Sequence, residues 1–354
     1  MIPELGTIEG FYGRPWDWEA RAAHVSALAP HGYRFYLYAP KADTFLRRRW
    51  SEPHPQDEAE RLSGLAAHCR AEGVRFGVGL SPYELYLDFD DAAREALAQK
   101  LAWLDEMGID DLAILFDDMR GDLPGLAEKQ IEIIECAAER TKAGRLIICP
   151  SYYTDDPILD RVFGERPEGY LDTLGARLDP AIEIFWTGPK VCSKEMPADH
   201  LARVTETLKR RPFIWDNYPV NDGQRMSSFL HLRAFEGRPG GAGEHISAHG
   251  VNPASQPWLS RIPMLTLEEV YGGGEYDPEA AFFTAAETVC GSELARMLAD
   301  DLPLLQDKGL DGMTDKETAA LRNRYAAVDH PCAREIVQWL DGHWRITNEI
   351  VQTQ

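Results

Sequence analysis

Leu112-Ala113-Ile114-Leu115-Phe116-Asp117-Asp118-Met119 is an unbroken apolar run that stops in two adjacent acids. Apolar residues in a row, without polar alternation, suit a strand covered on both faces, as in a parallel sheet. The acid pair at its end reads either as the cap of a helix beginning near Leu123 or as an active site. Burying like charges side by side disfavours ionising both, so one carboxyl is expected to hold its proton at neutral pH while the other stays ionised. An acid/base hydrolase needs that split.

Working outward, short runs rich in aromatic and β-branched residues recur eight times, at 6–12, 33–41, 74–82, 112–119, 145–153, 181–189, 212–219 and 245–253. Helical periodicity fills 57–72, 90–107, 126–141 and 197–210, whereas 222–243 is glycine-rich and weak as a helix. Eight strands alternating with helices close a parallel (β/α)8 barrel, an α/β TIM-barrel fold whose catalytic groups sit at the C-terminal strand ends. Lys41, Asp117, Asp118, Tyr153, Thr187, Asp216, Asn217 and Asn252 all stand at such ends. After Gly272-Gly273-Gly274 the pattern turns to helices alone, at 278–287, 292–305, 315–328 and 331–347. The triple glycine lacks the Lys-Ser/Thr of a phosphate loop and reads as a hinge or turn. The organisation expected is a catalytic barrel over 1–275 and a small C-terminal helical domain over 276–354, with Trp339 and Trp344 in the core of the latter.

Composition excludes several partners. A formal charge of -21 repels nucleic acid, anionic membranes and polyanionic sugars. Arg47-Arg48-Arg49 is a candidate basic patch, though three arginines after a strand read more simply as a solvated loop. Neither a basic leader nor a long apolar span is visible, so a cytoplasmic protein is expected, with the first strand starting almost at Met1 and no accessory domain ahead of it. The sequence sets no oligomeric state. Six scattered cysteines form no CxxC pair and read as free core thiols. His245 and His249 are four apart, which on a strand separates them by about 13 Å, too far for one ion. No metal or cofactor is expected, and no Gly-x-Ser-x-Gly elbow supports a serine hydrolase.

The acid pair narrows the chemistry. Ordinary retaining glycosidases set two carboxyls about 5 Å apart on opposite sides of the bond being cut, and neighbours on one strand cannot do so. A 2-acetamido sugar removes the difficulty, because its own carbonyl oxygen attacks the anomeric carbon and forms an oxazoline. One Asp then orients the acetamido N–H while the next protonates the leaving oxygen and later activates water.

Ile8-Glu9-Gly10-Phe11-Tyr12-Gly13-Arg14-Pro15-Trp16, Tyr38-Ala39-Pro40-Lys41, Leu115-Phe116-Asp117-Asp118, Trp186-Thr187-Gly188-Pro189 and Trp215-Asp216-Asn217 together resemble glycoside hydrolase family 84. That family contains the O-GlcNAcases and related bacterial β-N-acetylglucosaminidases. The resemblance implies a retaining, substrate-assisted enzyme without a cofactor, acting on GlcNAc-bearing glycans or glycoproteins. By the same resemblance Asp117 polarises the acetamido group and Asp118 is the general acid/base. Tyr153 and Asn217 would line the acetamido pocket, Gly10 and Lys41 would touch the sugar, and Asp222 and Asn252 would hold its far hydroxyls. The choice of GlcNAc over GalNAc turns on how Asp222 meets the 4-hydroxyl. Ala42, Tyr152 and Gly223 depart from the family's usual residues and are expected to border the site. A hyaluronidase-like or other amino-sugar hydrolase, and a barrel that binds GlcNAc without cutting it, are the competing readings.

Overall fold

The computed structural model describes residues 2–238 and 240–347 of the chain, so the end of the expected helical domain, 348–354, lies outside the described residues. Eight parallel strands, β1 (Glu4–Glu9), β2 (Tyr33–Tyr38), β3 (Arg75–Leu80), β4 (Asp111–Leu115), β5 (Arg145–Cys149), β6 (Glu183–Trp186), β7 (Phe213–Asp216) and β8 (Ala248–Val251), pair in sequence order into a closed barrel. Closure is made by β1 against β8, in the register Glu4↔Ala248 to Thr7↔Val251. The strands are shorter than the sequence runs that announced them. Each ladder ends where the chain turns out into a loop, and the apolar residues beyond it cover the barrel mouth instead.

The two ends of the barrel differ in kind. At the N-terminal end Arg75 donates to both oxygens of Glu4 at 2.7 and 2.8 Å and to Asp111 at 3.1 Å, while Arg145 donates to Glu4 at 2.9 Å and also to Glu183. Two guanidiniums bridge three carboxylates there, which suits a plug. The interior above it is aromatic, with Phe213 edge-on to Phe35 and Phe185.

The expected helices are present at Gln56–Ala71, Asp91–Glu106, Leu126–Ala138 and Ala198–Leu208, joined by Trp18–Leu28, Ile158–Phe163 and Tyr170–Arg177. Aspartates start two of them: Asp17 accepts from the Ala20 amide at 2.7 Å and Asp90 from the Ala93 amide at 2.8 Å. Among the described residues, the glycine-rich 222–243 region forms only 3-10 turns, at Met226–Ser228 and Gly240–Glu244.

Beyond the turn at Gly272-Gly273-Gly274, the first two expected helices are halves of one element, Pro278–Leu302, broken at Gly291 with φ 81. A side chain there would be strained, and glycine takes the bend freely. Asp315–Ala326 begins with a capping box of Thr314 and Glu317. The last expected helix, 331–347, ends early at Leu340; Gly342 at φ 80 follows, and residues 343–347 then run non-helically along the barrel mouth. Trp339 is buried as expected, whereas Trp344 is only partly so. These helices share one apolar core with the barrel, in which Leu5, Ile214 and Val251 meet Phe282, Leu298 and Trp339. The cysteines are all free, and Cys69, Cys136, Cys149 and Cys332 are buried, but Cys192 is exposed and Cys290 half-buried, so the expectation of core thiols fails for those two.

Candidate active site

At the C-terminal mouth lies a pocket of about 610 Å³, open to solvent and lined by Asp117, Asp118 and all six other residues expected to touch the sugar. Consecutive side chains of an extended strand point to opposite faces. Here β4 has already ended at Leu115, and Asp118 adopts φ 57, a left-handed conformation in which aspartate is more tolerable than most residues. That turn lets both carboxyls line one cavity. Such a conformation costs on the order of 1–3 kcal/mol and persists only where its surroundings enforce it.

The two carboxyls are held differently. Asp117 Oδ2 accepts from Lys41 Nζ at 2.5 Å, while its buried Oδ1 has no hydrogen-bond partner among the described residues. Asp118 accepts from two phenols, Tyr12 at 2.7 Å and Tyr153 at 3.1 Å. Burial and then the neighbouring Asp117 charge raise the Asp118 pKa, against the pull of Lys41, the Tyr12 hydrogen bond and Arg47. Asp118 is therefore the member of the pair whose protonated form the site favours.

Across the pocket, Asp222 accepts from the Tyr12 amide at 2.7 Å, and burial pushes its carboxyl up to about 6. An amide relay forms the remaining wall. Gly10 N donates to Asn252 Oδ1 at 3.3 Å, Asn252 Nδ2 donates to Asn217 Oδ1 at 2.9 Å, and Asn217 Nδ2 donates to the Val191 carbonyl at 2.9 Å. Trp215 Nε1 donates to the same Asn217 oxygen at 3.0 Å. Gly10 has a packing reason of its own, since a Cβ there would lie 2.3 Å from the Trp215 indole.

Several sequence expectations need correction. Asp216 stands at a strand end but is fully buried away from the pocket, accepting from Arg238 Nε and Nη2 at 2.8 and 2.7 Å, with His249 Nε2 at 3.0 Å. His249 is thus a core partner, and no group of three potential metal ligands occurs among the described residues. Ala42, Tyr152 and Gly223 each adjoin a lining residue, Lys41, Tyr153 and Asp222 respectively, but do not line the pocket themselves. Tyr152 is buried and donates to the Gly164 carbonyl at 2.6 Å, while Ala42 is exposed beside a separate cleft. The arginine triplet is not a solvated loop throughout: Arg48 and Arg49 are exposed, and Arg49 pairs with Glu52, but Arg47 is buried. Tyr12, Trp215 and Arg47 were not singled out as site residues. The first two lie inside the motifs quoted above, so their signal was present; Arg47 had none beyond its charge.

A larger groove of about 860 Å³ runs between the barrel and the helical segment, past Trp16, Trp258 and Trp344. Its buried acid, Glu335, has both oxygens taken by the Trp258 and Leu259 amides at 2.9 Å, so it offers no free base.

A parallel barrel with an adjacent acid pair in a polar cleft at its C-terminal mouth is the architecture of a glycoside hydrolase. A family model described as beta-N-acetylglucosaminidase matches residues 5–300. The chain is 34% identical over 235 residues to the Protein O-GlcNAcase of Mus musculus and, equally, to that of Rattus norvegicus. The match takes in 64% of this chain but 25% of each relative, so the chain spans a quarter of their length. Among solved structures, a mutant of the Thermobaculum terrenum O-GlcNAc hydrolase superimposes with a TM-score of 0.79 at 27% identity, over 96% of this chain and 80% of that one. CpGH84B shares the fold, with a TM-score of 0.75 at 24% identity over 97% and 66% of the two chains. The chain belongs to the β-N-acetylglucosaminidase family of glycoside hydrolases.

Proposed function

We propose that the protein is a retaining exo-β-N-acetylglucosaminidase of the O-GlcNAcase type, which removes terminal β-linked GlcNAc from a glycan or glycoprotein by substrate assistance. The observation that carries this reading is the asymmetry of the acid pair. Asp117 spends one oxygen on Lys41 and keeps the other, buried in the pocket, for an outside donor. An acetamido N–H satisfies it, and a buried acceptor left unsatisfied is costly. Accepting that hydrogen bond turns the acetamido carbonyl oxygen toward the anomeric carbon. Asp118, whose protonated form is favoured by burial and by its neighbour, gives its proton to the departing oxygen as the C–O bond breaks and the ring closes as an oxazolinium whose N–H Asp117 still holds. Its carboxylate then takes a proton from the water that reopens the ring, with net retention. Tyr153 and Asn217 would line the acetamido side, and Gly10, Lys41, Asp222 and Asn252 would hold the sugar. In this reading the unit over 1–275 carries the reaction and the C-terminal unit over 276–354 supports it.

The net charge of -21 disfavours a polyanionic substrate, and the burial of Arg47 shrinks the patch that the arginine triplet would have offered it. No helix among the described residues is long and apolar enough to cross a membrane. Free thiols throughout fit a reducing compartment such as the cytoplasm.

The test is release of a fluorescent phenol from its β-GlcNAc and β-GalNAc glycosides by wild type, Asp117→Asn and Asp118→Asn. Wild-type turnover of the GlcNAc glycoside, with Asp118→Asn sparing activated phenols more than poor leaving groups, is the expected result. Folded wild type that binds the sugar but turns over neither glycoside would make the protein a lectin-like barrel.

A further inference from the structure

Resting on that reading, the buried arginine of the triplet has a place in the reaction. Arg47 lies in the loop after β2, six residues beyond Lys41, and is 2% exposed. The loop is stitched to the segment after β3: Ser81 N donates to the Leu46 carbonyl at 2.7 Å, and the guanidinium lies 5.5 Å from the centre of the Tyr83 ring. From there Arg47 Nη2 donates to the main-chain carbonyl of Asp118 at 3.2 Å. That carbonyl belongs to the residue held at φ 57. A donor fixed on one side of a left-handed peptide is the kind of restraint such a conformation requires.

We propose that Arg47 is a positioning residue for the general acid, anchoring the Asp118 peptide in its left-handed turn while its charge, held behind the acid pair, keeps the Asp118 proton transferable. Lys41 offsets the pair from the pocket side through Asp117, and Arg47 does so from behind. The groups facing Asp118 from the surrounding elements are Asp117, Lys41, Tyr12, Tyr153, Asp222, Cys149 and Arg47. Of these, Lys41 and Arg47 are the cations, and only Arg47 also touches the Asp118 backbone. Because a nearby cation favours the ionised carboxyl, removing the guanidinium makes Asp118 a weaker acid.

The experiment compares wild type, Arg47→Gln and Arg47→Lys on a series of aryl β-GlcNAc glycosides of graded leaving-group acidity, with pH profiles of kcat/KM. For Arg47→Gln the expected loss is about 10- to 100-fold on the poorest leaving groups and only a few-fold on the most activated, because only the former need the acid. Its basic limb should move up by about half to one pH unit, since the charge that favoured the ionised form is gone. Arg47→Lys keeps the charge, so its limb should stay with wild type while a smaller loss, again graded by leaving group, remains. Should Arg47→Gln fail to fold, that graded loss in Arg47→Lys still decides the matter. A uniform loss across leaving groups with an unmoved limb, or no loss, would reduce Arg47 to a packing residue. Wild type inactive on every glycoside would instead sink the glucosaminidase reading, and this inference with it.

Discussion

Two strand ends of the barrel carry buried aspartates and use them in opposite ways. At the end of β7, Asp216 meets Arg238 and His249, and with the first of these leading, its pKa falls to about 2 despite complete burial. Past the end of β4, Asp117 and Asp118 share one lysine, one carboxyl oxygen is left without a partner among the described residues, and the second acid is pushed up rather than down. Burial is common to both; the partners decide the sign. A carboxylate whose lone pairs are filled from within the protein holds the fold together. An acid pair with an oxygen to spare on Asp117 and a like charge beside Asp118 has capacity for a ligand and a proton.

The contrast can be broken most directly at Asp118. Asp118→Asn should lower kcat/KM on poor leaving groups by about 10²- to 10⁴-fold, the range for losing a general acid, while the thermal midpoint stays level or rises because no charge is buried. A matching loss of stability would mean that this acid, too, is structural. Asp216→Asn should do the reverse, destabilising the fold by about 3–5 kcal/mol because Arg238 is left without its counter-charge; denaturant titration reads this, and an unchanged midpoint would refute the division. The pH dependence sharpens it. Because the Asp216 pKa is depressed when folded, its stabilisation is present above the usual carboxylate range and is lost as pH falls toward about 2. The gap between wild type and Asp216→Asn should therefore narrow below pH 4. The smallest effect is expected at Asp222, whose folded pKa is raised to about 6, so its penalty grows as pH rises through that value. Asp222→Asn should bind a GlcNAc-oxazoline mimic poorly yet be more stable than wild type at pH 8, by about 1 kcal/mol after allowing for its partial solvent access, with the gain fading toward pH 4.

Much of this was legible in the chain. Eight apolar runs announced eight strands because a parallel sheet buried on both faces leaves no polar alternation to confuse the pattern. The overlong strand limits have a physical cause as well: the residues that roof the mouth, such as Phe11 and Phe116, are as apolar as the strands they extend. The acid pair was legible from adjacency alone. Asp216 was not separable from it, since the partners that neutralise Asp216 lie 22 and 33 residues further along the chain. Arg47 was hidden for the opposite reason. Two exposed arginines follow it, and charge runs give no hint of which member turns inward. The last helix was overextended because periodicity continues past Leu340, while Gly342 turns the backbone away.

That turn sends residues 343–347 back over the barrel mouth. There Ser227 Oγ accepts from the Ile346 amide at 3.1 Å, Gln224 donates to the Thr347 carbonyl at 3.1 Å, and Trp339 Nε1 donates to the Ser227 carbonyl at 3.1 Å. The stretch so fastened begins two residues after Asp222. Anyone trimming the gene to its barrel would therefore unbuckle one wall of the cleft and bare the apolar flank formed by Leu5, Ile214 and Val251, so the seam visible in the sequence is a poor place to cut.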